Sequence, residues 1–131
     1  LKVFAGTGEP QKAVMKLEVM GDVKEATESG DGPVDAIFKC IKKLYPHEVN
    51  LQLYNVHAVT EGTDAQATVS VRIEENGKTT VGQAANTDTL VASADAYLNA
   101  LNKLIIKRKK TAPEPMDLSG SKYIREKDGT I

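Results

Sequence analysis

Apolar positions along this chain follow a short, alternating pattern, then a helical one, and the pair of patterns occurs twice. Val14, Leu17 and Val19 predict a strand, and the break at Met20-Gly21-Asp22 followed by Val23 to Thr27 reads as its hairpin return. A glycine-rich break, Ser29-Gly30-Asp31-Gly32-Pro33, comes next. Pro33 suits a first helical turn, and Val34, Ile37, Phe38, Ile41 and Leu44 recur at three- and four-residue steps, which predicts a helix over residues 33–45 ended by Pro46. The pattern then restarts. A strand is predicted through Val49, Leu51 and Leu53 and on to Val59, and a second through Ala67, Val69, Val71 and Ile73. Asn76-Gly77 is a hairpin turn, because both residues tolerate positive φ, and the return runs from Thr79 to about Ala84. After a loop at Ala85-Asn86-Thr87-Asp88, a second helix carries Leu90, Val91, Ala94, Leu98, Leu101, Leu104 and Ile105 along one face.

The two halves share one plan at an offset of 54 to 55 residues, counting Ala13 onto Ala67 and Pro33 onto Asp88. If Leu1 to about Gly6 is a strand matching Leu51 to Val59, each half is βββα. The expected fold is therefore α+β, with duplicated units whose antiparallel sheets pack with two helices about a pseudo-twofold axis. Residues 1–110 form the expected domain. Residues 111–131, with Pro113, Pro115, Gly120 and many charges but no period, read as an extended or flexible tail.

Composition narrows the function. Seventeen basic against eighteen acidic residues give a formal charge of -1, which supplies no field to attract nucleic acid or an anionic membrane. The single cysteine, Cys40, rules out an internal disulfide and a multi-cysteine metal cluster, and points to a reducing, cytoplasmic setting. No apolar run is long enough to cross a bilayer as a helix. The start at Leu1 has neither an initiator methionine nor a signal-peptide plan, which suggests a piece of a longer chain.

Catalytic chemistry finds little footing. His47 and His57 stand ten residues apart with no ligand set around them, and there is no nucleophile elbow, P-loop or dinucleotide-binding glycine pattern. No catalytic residue, metal ligand or cofactor is expected in this piece. The two loops that open helices are better candidates, since a helix start presents free N–H groups and partial positive charge suited to a carboxylate. Gly30 and Gly32 either admit a ligand to the backbone or only shape the turn before Pro33. Asp31, Asp35 and Asp88 suit capping as well as contact with an ammonium, and for Asp88 capping is the safer reading. Glu61-Gly62-Thr63-Asp64-Ala65-Gln66-Ala67 reads as a turn into a strand that begins with small side chains, which either leave room for a ligand or form an ordinary hairpin. Tyr54 and Ala58 on the preceding strand suit either core or the lining of a shallow cavity.

Three of these stretches together carry a resemblance: Gly30-Asp31-Gly32-Pro33-Val34-Asp35-Ala36, Gly62-Thr63-Asp64-Ala65-Gln66-Ala67, and Thr87-Asp88 with Ala92-Ser93 and Ala100-Leu101-Asn102. In this order and at these separations, over residues 1–107, the chain resembles the C-terminal regulatory domain shared by 2-isopropylmalate synthases and citramalate synthases. The resemblance implies a duplicated βββα domain that forms a homodimer and binds an end-product amino acid, leucine in the first enzymes and isoleucine in the second. It implies a non-catalytic role, in feedback inhibition of an absent barrel that joins acetyl-CoA to a 2-oxo acid at a divalent metal ion. By the same resemblance Gly30, Asp31, Gly32, Pro33, Val34 and Asp35 form one wall of the effector site. Tyr54, Ala58, Ala65 and Ala67 form its apolar floor with Asp64 beside them, and Asn86, Thr87, Asp88 and Thr89 form the opposing wall. Asp35 departs from the family pattern, where a small residue is usual.

Overall fold

A computed structural model describes residues 1–4, 11–45, 48–59, 66–109 and 124–126. The elements run β1 (Lys2–Phe4), β2 (Gln11–Val19), β3 (Asp22–Gly30), α1 (Pro33–Leu44), β4 (Asn50–Val59), β5 (Gln66–Glu75), β6 (Lys78–Asn86), α2 (Thr89–Lys109) and β7 (Ile124–Glu126). They form two antiparallel sheets, β1-β2-β3 with β7 also on β2, and β4-β5-β6, so the fold is α+β with repeated βββα units as the pattern implies.

Each unit is organised by a tight hairpin. Met20 and Gly21 (φ 52° and 90°) and Asn76 and Gly77 (φ 51° and 80°) all lie in the left-handed region, the backbone that matches the twist of two-residue hairpins. Asn76-Gly77 announces such a turn, whereas a methionine in that region is unusual and Met20 is held there by pairing from Val19↔Asp22 onward. The duplication is visible in side-chain burial: Ala13, Met15, Leu17 and Val19 on β2 and Ala67, Val69, Val71 and Ile73 on β5 all point into the core. Val14, expected on the same face as Leu17, is opposite Thr27 and only half-buried, because a period of two puts even positions on the outer face.

Helix α1 covers β2 and β3 with Ala36, Ile37, Cys40, Ile41 and Leu44. Ile37 and Ile41 are fully buried, and removing such side chains from water is worth about 1.5–3 kcal/mol each. The Cys40 thiol donates to the Ala13 carbonyl at 3.2 Å. Burial, more than any neighbouring charge, pushes its pKa up. Helix α2 lies on β5 and β6 and also meets α1 and β7. Its burial exceeds the single face that the apolar spacing implies: Val91, Ala92, Ser93 and Ala94 are four consecutive buried residues. Small side chains explain how it comes so near. A Cβ on Gly82 would overlap the Ala96 carbonyl and lie 2.5 Å from the Ala100 N.

The outer edge of β6 is covered by α2. Asn99, Lys103 and Lys107, spaced four apart on one helix face, donate to the carbonyls of Gln83, Val81 and Thr79 at 2.9, 2.7 and 2.7 Å. Alternate outward carbonyls of an edge strand are thus filled by side chains, which blocks edge-to-edge growth of the sheet. Lys107 does this from a basic stretch of sequence, Lys107-Arg108-Lys109-Lys110.

Candidate functional site

The stretch Gly30 to Asp35, expected as one wall of the site, is the junction between β3 and α1. Gly30 leaves room for the helix rather than for a ligand, since a Cβ there would stand 2.5 Å from the Ala36 N and 2.6 Å from Asp35 Oδ2. Gly32, the N-cap of α1, is the reverse case: a Cβ would meet nothing within 4 Å, and among the described residues no side-chain cap hydrogen bond is made there. Pro33 at the first helical position has no N–H, so the Val34 and Asp35 N–H groups face the loop without a side-chain cap. The Asp35 carboxylate reaches backwards instead. It accepts from the Asp31 N–H at 3.0 Å and pairs with Lys39 at 3.1 Å, and these contacts, the Asp31 N–H first, hold its pKa below the usual value.

The stretch Asn86 to Thr89, expected as the opposing wall, is arranged differently. Asp88 Oδ1 accepts from the Leu90 N–H at 2.9 Å and the Asp88 N–H donates to Asn86 Oδ1 at 2.8 Å, so α2 is capped by its own aspartate. The expectation of an open helix start in both halves therefore holds for α1 and fails for α2, because an aspartate at the N-cap position reaches its own second helical N–H. Strand β6 also extends to Asn86, two residues into the stretch read as loop.

Tyr54 lies against both helices, and a one-residue irregularity in β4 aims it. Leu51 pairs with Ile73 and Leu53 with Arg72, so Gln52 is bulged out of register. Leu53 therefore joins the outer face with Arg72, and Tyr54, opposite buried Val71, turns to the helices. Its hydroxyl lies 2.7 Å from Ser93 Oγ. Ser93 Oγ donates to the Thr89 carbonyl at 2.8 Å and has only one proton to give, so Tyr54 is the donor in the pair and its phenolic oxygen keeps its lone pairs. On its other side the ring meets Phe38 of α1 edge-on, with centroids 6.0 Å apart, and Phe38 stacks on Tyr97 of α2 at 4.4 Å. Phe38 lies one helical turn beyond Val34 and Ser93 one turn beyond Thr89, so Tyr54 touches both helices one turn in from their starts. Burial pushes the Tyr97 phenol up to about 12.

Ala67 is buried on β5 opposite Ala58, in the same row as Asn86. Asp64 and Ala65 lie outside the described residues, and so does His47; His57 is exposed on β4. Among the described residues, cavities lie apart from these loops. One of about 200 Å³ is lined by Phe38, Lys39, Lys42, Val49, Leu51 and Tyr97, and one of about 600 Å³ is a polar groove between Lys42, Asn50 and Glu74. The first adjoins the aromatic cluster through Phe38 and Tyr97.

A family model described as the LeuA allosteric (dimerisation) domain matches residues 1–105. The chain belongs to this family. It is 60% identical over 110 residues to a 2-isopropylmalate synthase of Bradyrhizobium diazoefficiens, a match covering 84% of the chain and 21% of that protein. Against the 2-isopropylmalate synthase of Caulobacter sp. strain K31 it is 58% identical over 120 residues, covering 92% and 23%. The chain spans about a fifth of the length of these curated relatives. In this LeuA allosteric domain the residues that sequence reasoning missed are Phe38, Ser93 and Tyr97. Ser93 had a signal, a lone hydroxyl on the apolar side of α2 four residues after Thr89; Phe38 reads as part of the apolar stripe of α1, and Tyr97 lies outside the apolar face read for α2.

Proposed function

We propose that this domain senses leucine and holds two copies of a 2-isopropylmalate synthase together, so that the end product inhibits its own synthesis. The observation that carries the reading is the pairing of an uncapped helix start at Gly32-Pro33 with Tyr54, which connects that helix to α2. The Val34 and Asp35 N–H groups would take the effector carboxylate. The ammonium would meet the Tyr54 oxygen, loop carbonyls and Asp31, because the Asp35 carboxylate is already engaged by Lys39 and the Asp31 N–H. Val34, Ala58, Asp64, Ala65 and Ala67 would line the side-chain space, with Asn86, Thr87, Asp88 and Thr89 opposite. Leucine is preferred to isoleucine because the relatives carry the name of the leucine-pathway enzyme.

The parent chain would be a cytoplasmic acyltransferase that joins acetyl-CoA to 2-oxoisovalerate in a separate barrel holding a divalent metal ion, and this piece would not turn over substrate. Inhibition then requires leucine to favour one arrangement of the homodimer by a coupling of about 1–3 kcal/mol. Leu51 and Val56 fit a surface covered by the second copy, since they point to the helix side of β4 yet are 47% and 42% exposed. Calorimetric titration with leucine and, separately, isoleucine tests the reading. Saturable leucine binding with isoleucine weaker by about 1–3 kcal/mol is expected. Equal or absent binding to folded, dimeric protein overturns it.

A further inference from the structure

The third strand of the first sheet comes in two pieces. β4 pairs with β5 from Gln66 to Glu74, whereas β1 reaches only Lys12 to Val14 of β2. β3 pairs along the whole of one edge of β2, and on the other edge β7 pairs with Leu17, Glu18 and Val19 through Glu126, Arg125 and Ile124. β1 and β7 thus lie end to end on one edge of β2, and together they occupy the place that β4 fills in the second sheet.

The slot that receives β7 is specific. Asn102 of α2, only 7% exposed, donates from Nδ2 to the Ile124 carbonyl at 2.6 Å and accepts at Oδ1 from the Ile124 N–H at 2.7 Å. One side-chain amide thereby makes the two hydrogen bonds that a paired strand residue would make. Ile124 is itself fully buried, in the same core as Leu17, Val19, Leu101 and Leu104. Withdrawing the segment would strip a buried amide of both partners and open an apolar hole beside an unpaired strand edge, a combination that selects an extended peptide with an apolar residue at its centre. A three-residue strand has few bonds of its own, so it can leave without unfolding the two βββα units.

We propose that the β2 edge at Leu17–Val19 and Asn102 form a receptor for an extended peptide segment, occupied by the chain's own residues 124–126 as a detachable clasp. The inference rests on the fold alone and is independent of the effector reading. The full chain carrying Ile124→Asp should keep its circular dichroism spectrum, while amide exchange at Leu17 to Val19 and around Asn102 rises on the order of tenfold to a hundredfold. The emptied slot should then bind a synthetic peptide spanning Ser121 to Lys127, adding Asn102→Leu should abolish that binding, and the unsubstituted chain should not bind the peptide. Truncation after Lys110 should reproduce the exchange and the peptide binding without placing a charge in the core. Unchanged exchange at Leu17 to Val19 in both emptied variants overturns the proposal, as does faster exchange without peptide binding.

Discussion

Gly30 and Asp35 share one small space: a Cβ on Gly30 would come within 2.6 Å of the Asp35 carboxylate that holds the Asp31 N–H. The Ala36 N is nearer still, at 2.5 Å, and is backbone that cannot swing aside. Gly30→Ala is therefore expected to cost about 3 kcal/mol, the upper end for overpacking, seen as a lower midpoint in urea.

Gly32 should behave in the opposite way. Its φ of -157° is open to any residue and its missing side chain faces empty space. Gly32→Ser supplies a cap and should raise stability by a few tenths of a kcal/mol. The same hydroxyl would occupy N–H groups assigned to the effector carboxylate, so leucine affinity should fall as the melting temperature rises. A parallel rise of both would remove the open start of α1 from the site.

Tyr54→Phe takes away a half-buried hydrogen bond to Ser93, at an expected cost of about 0.5–1.5 kcal/mol in thermal or chemical unfolding. If the Tyr54 oxygen also meets the effector ammonium, leucine binding should weaken about tenfold by calorimetry. Unchanged affinity beside the stability loss would leave Tyr54 a purely structural bridge between the helices.

Acid should weaken the β3–α1 junction. The Asp35 carboxyl titrates below its ordinary range in the folded chain, so its contribution is complete above the unfolded value of about 4 and is lost as pH falls through the folded value. Because the carboxylate is 44% exposed, the effect should stay under about 1 kcal/mol. Melting curves should show the native chain more stable than Asp35→Asn at neutral pH, with the gap closing below about pH 4. A constant gap would mean that the charge on Asp35 does not matter.

The framework was legible wherever the signal was local. Hydrophobic alternation at Val69, Val71 and Ile73, the Asn76-Gly77 turn and the Pro33 helix start each act within a few residues, and the repeat of Ala13 at Ala67 revealed the duplication. The features that shape the candidate site are different in kind. The bulge at Gln52 is a pairing irregularity set by the neighbouring strand, so Tyr54 could not be assigned a face from its own segment. Asp88 was recognised as a capping residue, but whether it leaves any helix N–H for a ligand depends on the rotamer it adopts. Strand β7 has no period to detect, and its partners lie about a hundred residues earlier in β2 and some twenty earlier in α2. Phe38 reads as ordinary core because an aromatic on a helix stripe carries no mark of what it meets, and Tyr97 falls off the apolar face read for α2.

The register of β1 and β7 has a consequence for chain connectivity. Glu126 pairs with Leu17 and Lys2 with Val14, and both segments run antiparallel to β2, so the end of one points at the start of the other with only Lys16 and Met15 between their partners. A circular permutant that joins Glu126 to Lys2 through two linker residues, with new termini placed between Lys110 and Tyr123, should fold. Its fused strand would run unbroken along β2 as β4 runs along β5, and stability equal to or above that of the parent, measured by urea unfolding, is the expected result. Strands β1 and β7, far apart in sequence, are in space two halves of one strand.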